Sequence, residues 1–138
     1  MIKTLGVVMG LLFLLGGIIG FVPGVIQNGL YLGIFRVNTA HGIVHIFSGA
    51  VFLFASMAGP RAIRGWFQIF GVVYAAVAAM GFEVGEGLIC GVISNNQYDA
   101  WGHAVLALGM LLVGFFPRRA TAAASCQRLR AEIARKVR

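Results

Sequence analysis

The sequence predicts an all-α fold, a four-transmembrane-helix bundle built from two tandem, parallel helical-hairpin repeats. Three observations carry that expectation. Only 11% of the 138 residues are charged while 59% are hydrophobic, whereas a water-soluble domain carries roughly 25% charged residues. With so little polar surface to face water, lipid must cover much of the chain. Four apolar stretches each approach the ~20 residues of helix that a hydrocarbon core requires. A pattern of glycine, asparagine and histidine also recurs 58 residues further along.

The four spans are expected at about Leu5–Val22, Ala40–Ala58, Trp66–Phe82 and Ala100–Phe116. Inside a bilayer each backbone amide must be paired within its own segment, so the spans read as helices. None shows the period-2 alternation of a barrel strand. The first span follows Lys3 and resembles a secretory signal, but it lacks a small-x-small cleavage site and its apolar run is long. It is therefore expected to be retained. Gly6, Gly10, Gly16, Gly17 and Gly20 recur along it at one- to two-turn spacing, which predicts close helix packing. The segment Gly59–Gly65 contains Pro60 and is expected to be a tight turn between the second and third spans.

Residues 1–118 thus form the transmembrane domain, with one repeat at about 5–58 and the other at about 66–116. Residues 119–138 form a basic tail. In it Ala122, Cys126, Leu129, Ile133 and Val137 mark one helical stripe. Arg118, Arg119, Arg128, Arg130, Arg135, Lys136 and Arg138 are expected at the membrane surface, since a basic amphipathic helix beside a span lies on anionic lipid.

Orientation follows from the cations. These tail residues fall on one side together with Lys3, Arg61 and Arg64, while Arg36 falls on the other with Glu83, Glu86 and Asp99. Basic residues are retained in the cytoplasm, so both termini are expected inside and the loops at about 24–39 and 83–98 outside. The net charge of +7 has this origin, and a nucleic-acid partner is set aside. Cys90 and Cys126 then lie on opposite sides, which excludes an intrachain disulfide.

The repeat pairs Gly29-Leu30, Gly33 and Asn38 with Gly87-Leu88, Gly91 and Asn96. His45 recurs as His103, and His41 is matched by Asp99. Two units in the same orientation relate by a pseudo-two-fold axis along the membrane normal. Gly29, Gly33, Gly87 and Gly91 are expected to shape the outer loops, with Leu30, Tyr31, Leu32, Ile34 and Phe35 as interfacial anchors.

Ionisable residues inside a span are expensive, which makes His41, His45, Asp99 and His103 the candidate site. Residues four apart share a helix face, so each helix supplies one pair. Two such pairs suit a tetrahedral Zn²⁺ site, and His45 with His103 suit axial ligation of haem. A packing role stays open beside these: Asn38 and Asn96 precede helix starts and suit capping, and the histidines could hydrogen-bond between the repeats. Glu83 and Glu86 read as solvated loop charge.

The GFVPG at Gly20–Gly24, the Gly33-x-Phe35-x-Val37-Asn38 segment and His45-x-x-x-Gly49 resemble an uncharacterised bacterial family of small four-helix membrane proteins, one of the domain-of-unknown-function families (DUF4383-like). The resemblance covers about residues 5–116. It implies a multi-pass protein of the bacterial inner membrane, with no established activity or ligand. Without an activated serine or cysteine, or paired carboxylates within a span, the sequence gives no support to enzymatic hydrolysis. The expected function is that of a small non-enzymatic membrane protein, an accessory or structural subunit with lipids and a membrane-protein partner or a second copy around it. A metal- or haem-binding protein is the alternative, and a small transporter component the third.

Overall fold

The computed structural model describes residues 1–115, Arg130 and residues 132–136. These residues are mostly helical, with four long helices among them: α1 (Ile2–Ile19), α2 (Thr39–Ala58), α3 (Pro60–Val84) and α4 (Gln97–Phe115). All four are long and apolar enough to cross a membrane. Large apolar side chains such as Leu12, Phe47, Phe54 and Val105 are more than half exposed along them. Water would penalise such faces by about 25 cal/mol per Å² and lipid would not, so this is a membrane protein.

The helix limits differ from those expected at two places. Helix α1 stops at Ile19, and Gly20–Gly24 is a run of turns ending on Gly24 at φ +81°. The apolar Phe21 and Val22 prolong the hydropathy signal past the helix without continuing it. Gly59–Gly65 is not a loop. Gly59 alone separates α2 from α3, at φ +121°, and Pro60 heads α3. A proline in the first turn has no amide that the helix needs, so α3 runs for 25 residues.

The chain between α1 and α2 forms an antiparallel three-stranded sheet of β1 (Ile26–Gln27), β2 (Leu30–Tyr31) and β3 (Phe35–Arg36), and that between α3 and α4 a hairpin of β4 (Gly87–Ile89) and β5 (Ile93–Asn95). Tyr31 pairs with Phe35 and Leu30 with Arg36; 58 residues later Ile89 pairs with Ile93 and Leu88 with Ser94. The two turns also match. Leu32-Gly33 and Cys90-Gly91 both hold two successive positive φ values, +54°/+74° and +51°/+71°. That is the type I′ geometry favoured by tight hairpins.

Helix α1 packs chiefly on α2, and α3 on α4. Close approach explains several glycines. A Cβ on Gly49 would stand 2.7 Å from the Gly10 carbonyl oxygen, and one on Gly17 2.7 Å from that of Gly42. Gly71 against Leu111 does the same between α3 and α4. Gly16 is different: a Cβ there would meet only His45 Nδ1, at 3.7 Å. The two hairpins join over a core in which Phe52, fully buried, lies 5.9 Å from Phe13, 5.1 Å from Phe67 and 5.0 Å from Phe70 between ring centroids, with Tyr74 and Met110 beside it.

Candidate functional site

The starts of α2 and α4 are fixed by each other's loops. Asn38 caps α2, its Oδ1 accepting from the His41 amide at 2.9 Å, while its Nδ2 donates to the Val92 carbonyl at 2.8 Å. Asn96 mirrors it: Oδ1 accepts from the Asp99 amide at 3.0 Å, and Nδ2 donates to the Ile34 carbonyl at 2.6 Å. Each asparagine thus satisfies an orphan amide of its own helix and a carbonyl of the opposite hairpin. Asp99 Oδ2 completes a reciprocal cap by accepting from the Asn96 amide at 3.0 Å, and also accepts from the Arg36 amide at 2.9 Å. The Arg36 side chain pairs with Glu86 at 3.2 Å across the two loops. That pair is solvent-exposed and contributes little, about 1 kcal/mol at most.

Beneath these caps the three histidines converge. His41 lies in the first turn of α2, His45 one turn below, and His103 in the second turn of α4. Each presents a nitrogen, and the three nitrogens lie within 4.8 Å of one another. The rings are 4.9 Å apart for His41 and His45, 5.6 Å for His41 and His103, and 6.4 Å for His45 and His103. His41 Nδ1 lies 3.1 Å from the Ser94 carbonyl oxygen. A carbonyl only accepts, so this nitrogen carries a proton, and in the neutral ring Nε2 is the acceptor. His45 Nε2 and His103 Nδ1 are buried with no hydrogen-bond partner among the described residues. A buried polar atom without a partner costs about 1–3 kcal/mol, and two beside one another call for an explanation.

Phe13 and Tyr74 wall the cluster below, with ring centroids 5.3 Å from His45 and 5.3 Å from His103. On the other side lies a cavity of about 530 Å³ between α1 and α2 on one flank and α4 on the other. Gly16 and Gly20 of α1, Tyr31 and Phe35 of the first sheet, and Trp101 and Val105 of α4 line it together with the histidines. Trp101 and Val105 are 58% and 68% exposed, so the cavity opens onto the apolar flank of the bundle.

Of the four residues that the sequence singles out, three bring nitrogens to one point. Asp99 stands beside them, buried, with its Oδ2 engaged by two backbone amides. Arg130, Arg135 and Lys136 of the tail are exposed, and Lys136 lies 3.9 Å from Glu132. Arg118, Arg119, Arg128, Arg138 and Cys126 lie outside the described residues. Ser94, Gly16, Tyr31, Phe35 and Trp101 belong to the site and were not singled out as such. Ser94 acts through its carbonyl, which no residue type advertises. Gly16 carries no signal that separates it from the packing glycines around it.

A family model described as a domain of unknown function (DUF4383) matches residues 3–116, and the chain belongs to that family. No curated protein and no solved structure matches it.

Proposed function

For this member of the DUF4383 family we propose a metal-binding function: His41, His45 and His103 hold one transition-metal ion, Zn²⁺ in the first instance, just below the hairpin end of the bundle. The observation that carries it is the convergence of one imidazole nitrogen from each of the three histidines within 4.8 Å, in a cluster where His45 Nε2 and His103 Nδ1 are buried without a partner among the described residues. Neutral imidazole suits zinc, copper, iron and nickel. Zn–N bonds of 2.0–2.1 Å set tetrahedral ligands about 3.3 Å apart, so the rings close in slightly on the ion. The contact of His41 Nδ1 with the Ser94 carbonyl is the outer-shell bond that orients a metal-binding histidine. Three protein ligands leave the fourth position open, the arrangement of a site that takes a small ligand rather than a purely structural one.

Haem fits this arrangement less well. A porphyrin leaves two trans axial positions, and a third imidazole converging on the same point would pierce the macrocycle. A packing role fits less well too, because packing histidines would spend these nitrogens on hydrogen bonds. The reading is compatible with an accessory subunit of a larger membrane assembly.

The same reading places the chain in the bacterial cytoplasmic membrane, termini inside, with the metal near the outer surface. The asymmetric distribution of basic residues supports the orientation. A duplicated hairpin about a pseudo-two-fold axis is supported by the paired contacts: Asn38 to Val92 and Asn96 to Ile34 are the same bond at a 58-residue offset.

Thermal unfolding in detergent tests the metal reading. Zn²⁺ at a hundredfold excess over its Kd stabilises the folded state by about 2.7 kcal/mol, and Co²⁺ gives the intense visible bands of a tetrahedral centre. Neither effect is expected in the His45→Ala, His103→Ala variant. Identical melting of both proteins with and without zinc would refute it.

A further inference from the structure

The cavity beside the histidines has a composition that selects a ligand. Its volume, about 530 Å³, falls within the range of sites that enclose a small organic molecule. Trp101 and Val105 of its lining are more than half exposed on the flank that the bundle turns to lipid. Tyr31, Phe35 and Trp101 supply flat aromatic walls. The lining is mostly apolar, and the histidines contribute ring nitrogens to it.

Gly16 sharpens the choice. Gly10 and Gly17 are glycine because the neighbouring helix leaves no room for a Cβ. At Gly16 there is room, and the nearest atom beyond its own helix turn is His45 Nδ1 at 3.7 Å. The missing side chain keeps open the space in front of that nitrogen, which makes no hydrogen bond among the described residues. With the ring proton on Nδ1, this nitrogen is a donor directed at the cavity that Gly16 leaves open.

We infer that this cavity binds a lipid-soluble quinone, its ring between Tyr31, Phe35 and Trp101 and one carbonyl oxygen accepting from His45 Nδ1. The occupant comes from the bilayer, because the exposed lining residues Phe21, Trp101 and Val105 belong to the apolar flank. It must be flat, to lie against aromatic faces at stacking or edge distance. It carries an acceptor oxygen for His45 Nδ1 and an otherwise apolar body, because most of the lining is apolar. A phospholipid acyl chain comes from the bilayer and is apolar, but it is not flat and carries no acceptor oxygen to meet His45 Nδ1. The inference concerns binding alone and stands on the metal-free geometry, so it does not depend on the metal reading.

Trp101 reports occupancy. With Trp66, which packs on Phe70 at 5.4 Å towards the other end of α3, replaced by Phe, Trp101 is the sole tryptophan of the chain. Titrating the purified Trp66→Phe protein in detergent with a decyl-substituted benzoquinone is expected to quench Trp101 saturably. Adding Gly16→Leu fills the cavity and abolishes the saturable phase; leucine is a better helix former than glycine, and an unchanged helical melting curve shows that the variant is folded. Adding His45→Ala weakens binding about tenfold, the loss of one hydrogen bond in an apolar site. Decylbenzene, without the oxygens, competes at least about tenfold less well. Quenching that stays linear, that survives Gly16→Leu, or that decylbenzene or phospholipid displaces equally well overturns the inference. A protein that takes the quinone but no zinc refutes the metal reading alone. One that takes zinc but no quinone refutes this inference alone.

Discussion

At the scale of single residues, His41 and Asp99 show how one architecture serves two chemistries. They stand 58 residues apart in sequence, and each reaches the backbone of the opposite hairpin, at Ser94 and Arg36 respectively, which are themselves 58 residues apart. His41 donates to a carbonyl and keeps a second nitrogen free. Asp99 accepts from amides and has no donor to offer. One ring nitrogen thereby remains for a metal on the α2 side, while the α4 side spends its carboxylate on holding the loops. Asp99→Asn is therefore expected to keep the zinc stoichiometry of the wild type while destabilising the fold by about 1–2 kcal/mol, as for a weakened cap. Metal analysis beside a denaturation curve checks it, and loss of zinc in this variant would make Asp99 a ligand. The i, i+4 spacing was visible in the sequence. The choice between ligand and cap was not, because it depends on where the opposite hairpin places its amides.

At the scale of elements, the apolar runs locate α1, α2 and α4 to within three residues, since lipid leaves the backbone little alternative, whereas α3 begins at Pro60, six residues before the expected Trp66. Local punctuation is ambiguous. Pro60 signals a turn, yet at the head of a helix it is well tolerated. The small sheets carry a weaker signal. Asn28-Gly29, at φ +53° and +76°, is a hairpin signal in plain sight; Leu32 and Cys90 at positive φ are not, because residues of these types rarely take that conformation. The glycine spacing was legible as packing, and the contacts divide it: Gly6, Gly10 and Gly17 meet α2 or α3, and Gly16 faces His45. Gly10→Val would force a side chain against Leu53 and the Gly49 carbonyl, with a Cβ 3.0 Å from that oxygen or nearer to Leu53. It is expected to cost about 1–3 kcal/mol, whereas Gly16→Val should cost less. Equal destabilisation in a detergent unfolding series would show that the two glycines do the same work.

At the scale of the whole molecule, the two hairpins meet through a shared aromatic core and exchange hydrogen bonds between their loops. That arrangement leaves a cleft between α1 and α4 and brings three histidines to its inner end. No sequence pattern contains the cleft, because it is the space that two docked hairpins fail to fill. The proposed orientation makes a simple prediction. Cys90 is exposed at the tip of the second hairpin, so in a Cys126→Ser background a membrane-impermeant maleimide should label it in spheroplasts without lysis. Labelling that requires disrupted membranes would reverse the topology.

The central claim is a metal held by His41, His45 and His103. Metal content measures it most directly: the full chain is extracted in mild detergent, saturated with zinc, freed of excess ion and analysed for zinc per polypeptide. The account predicts one ion per chain in the wild type and none in a folded His45→Ala, His103→Ala variant. Wild-type protein without stoichiometric zinc, or a double variant that retains it, would contradict it.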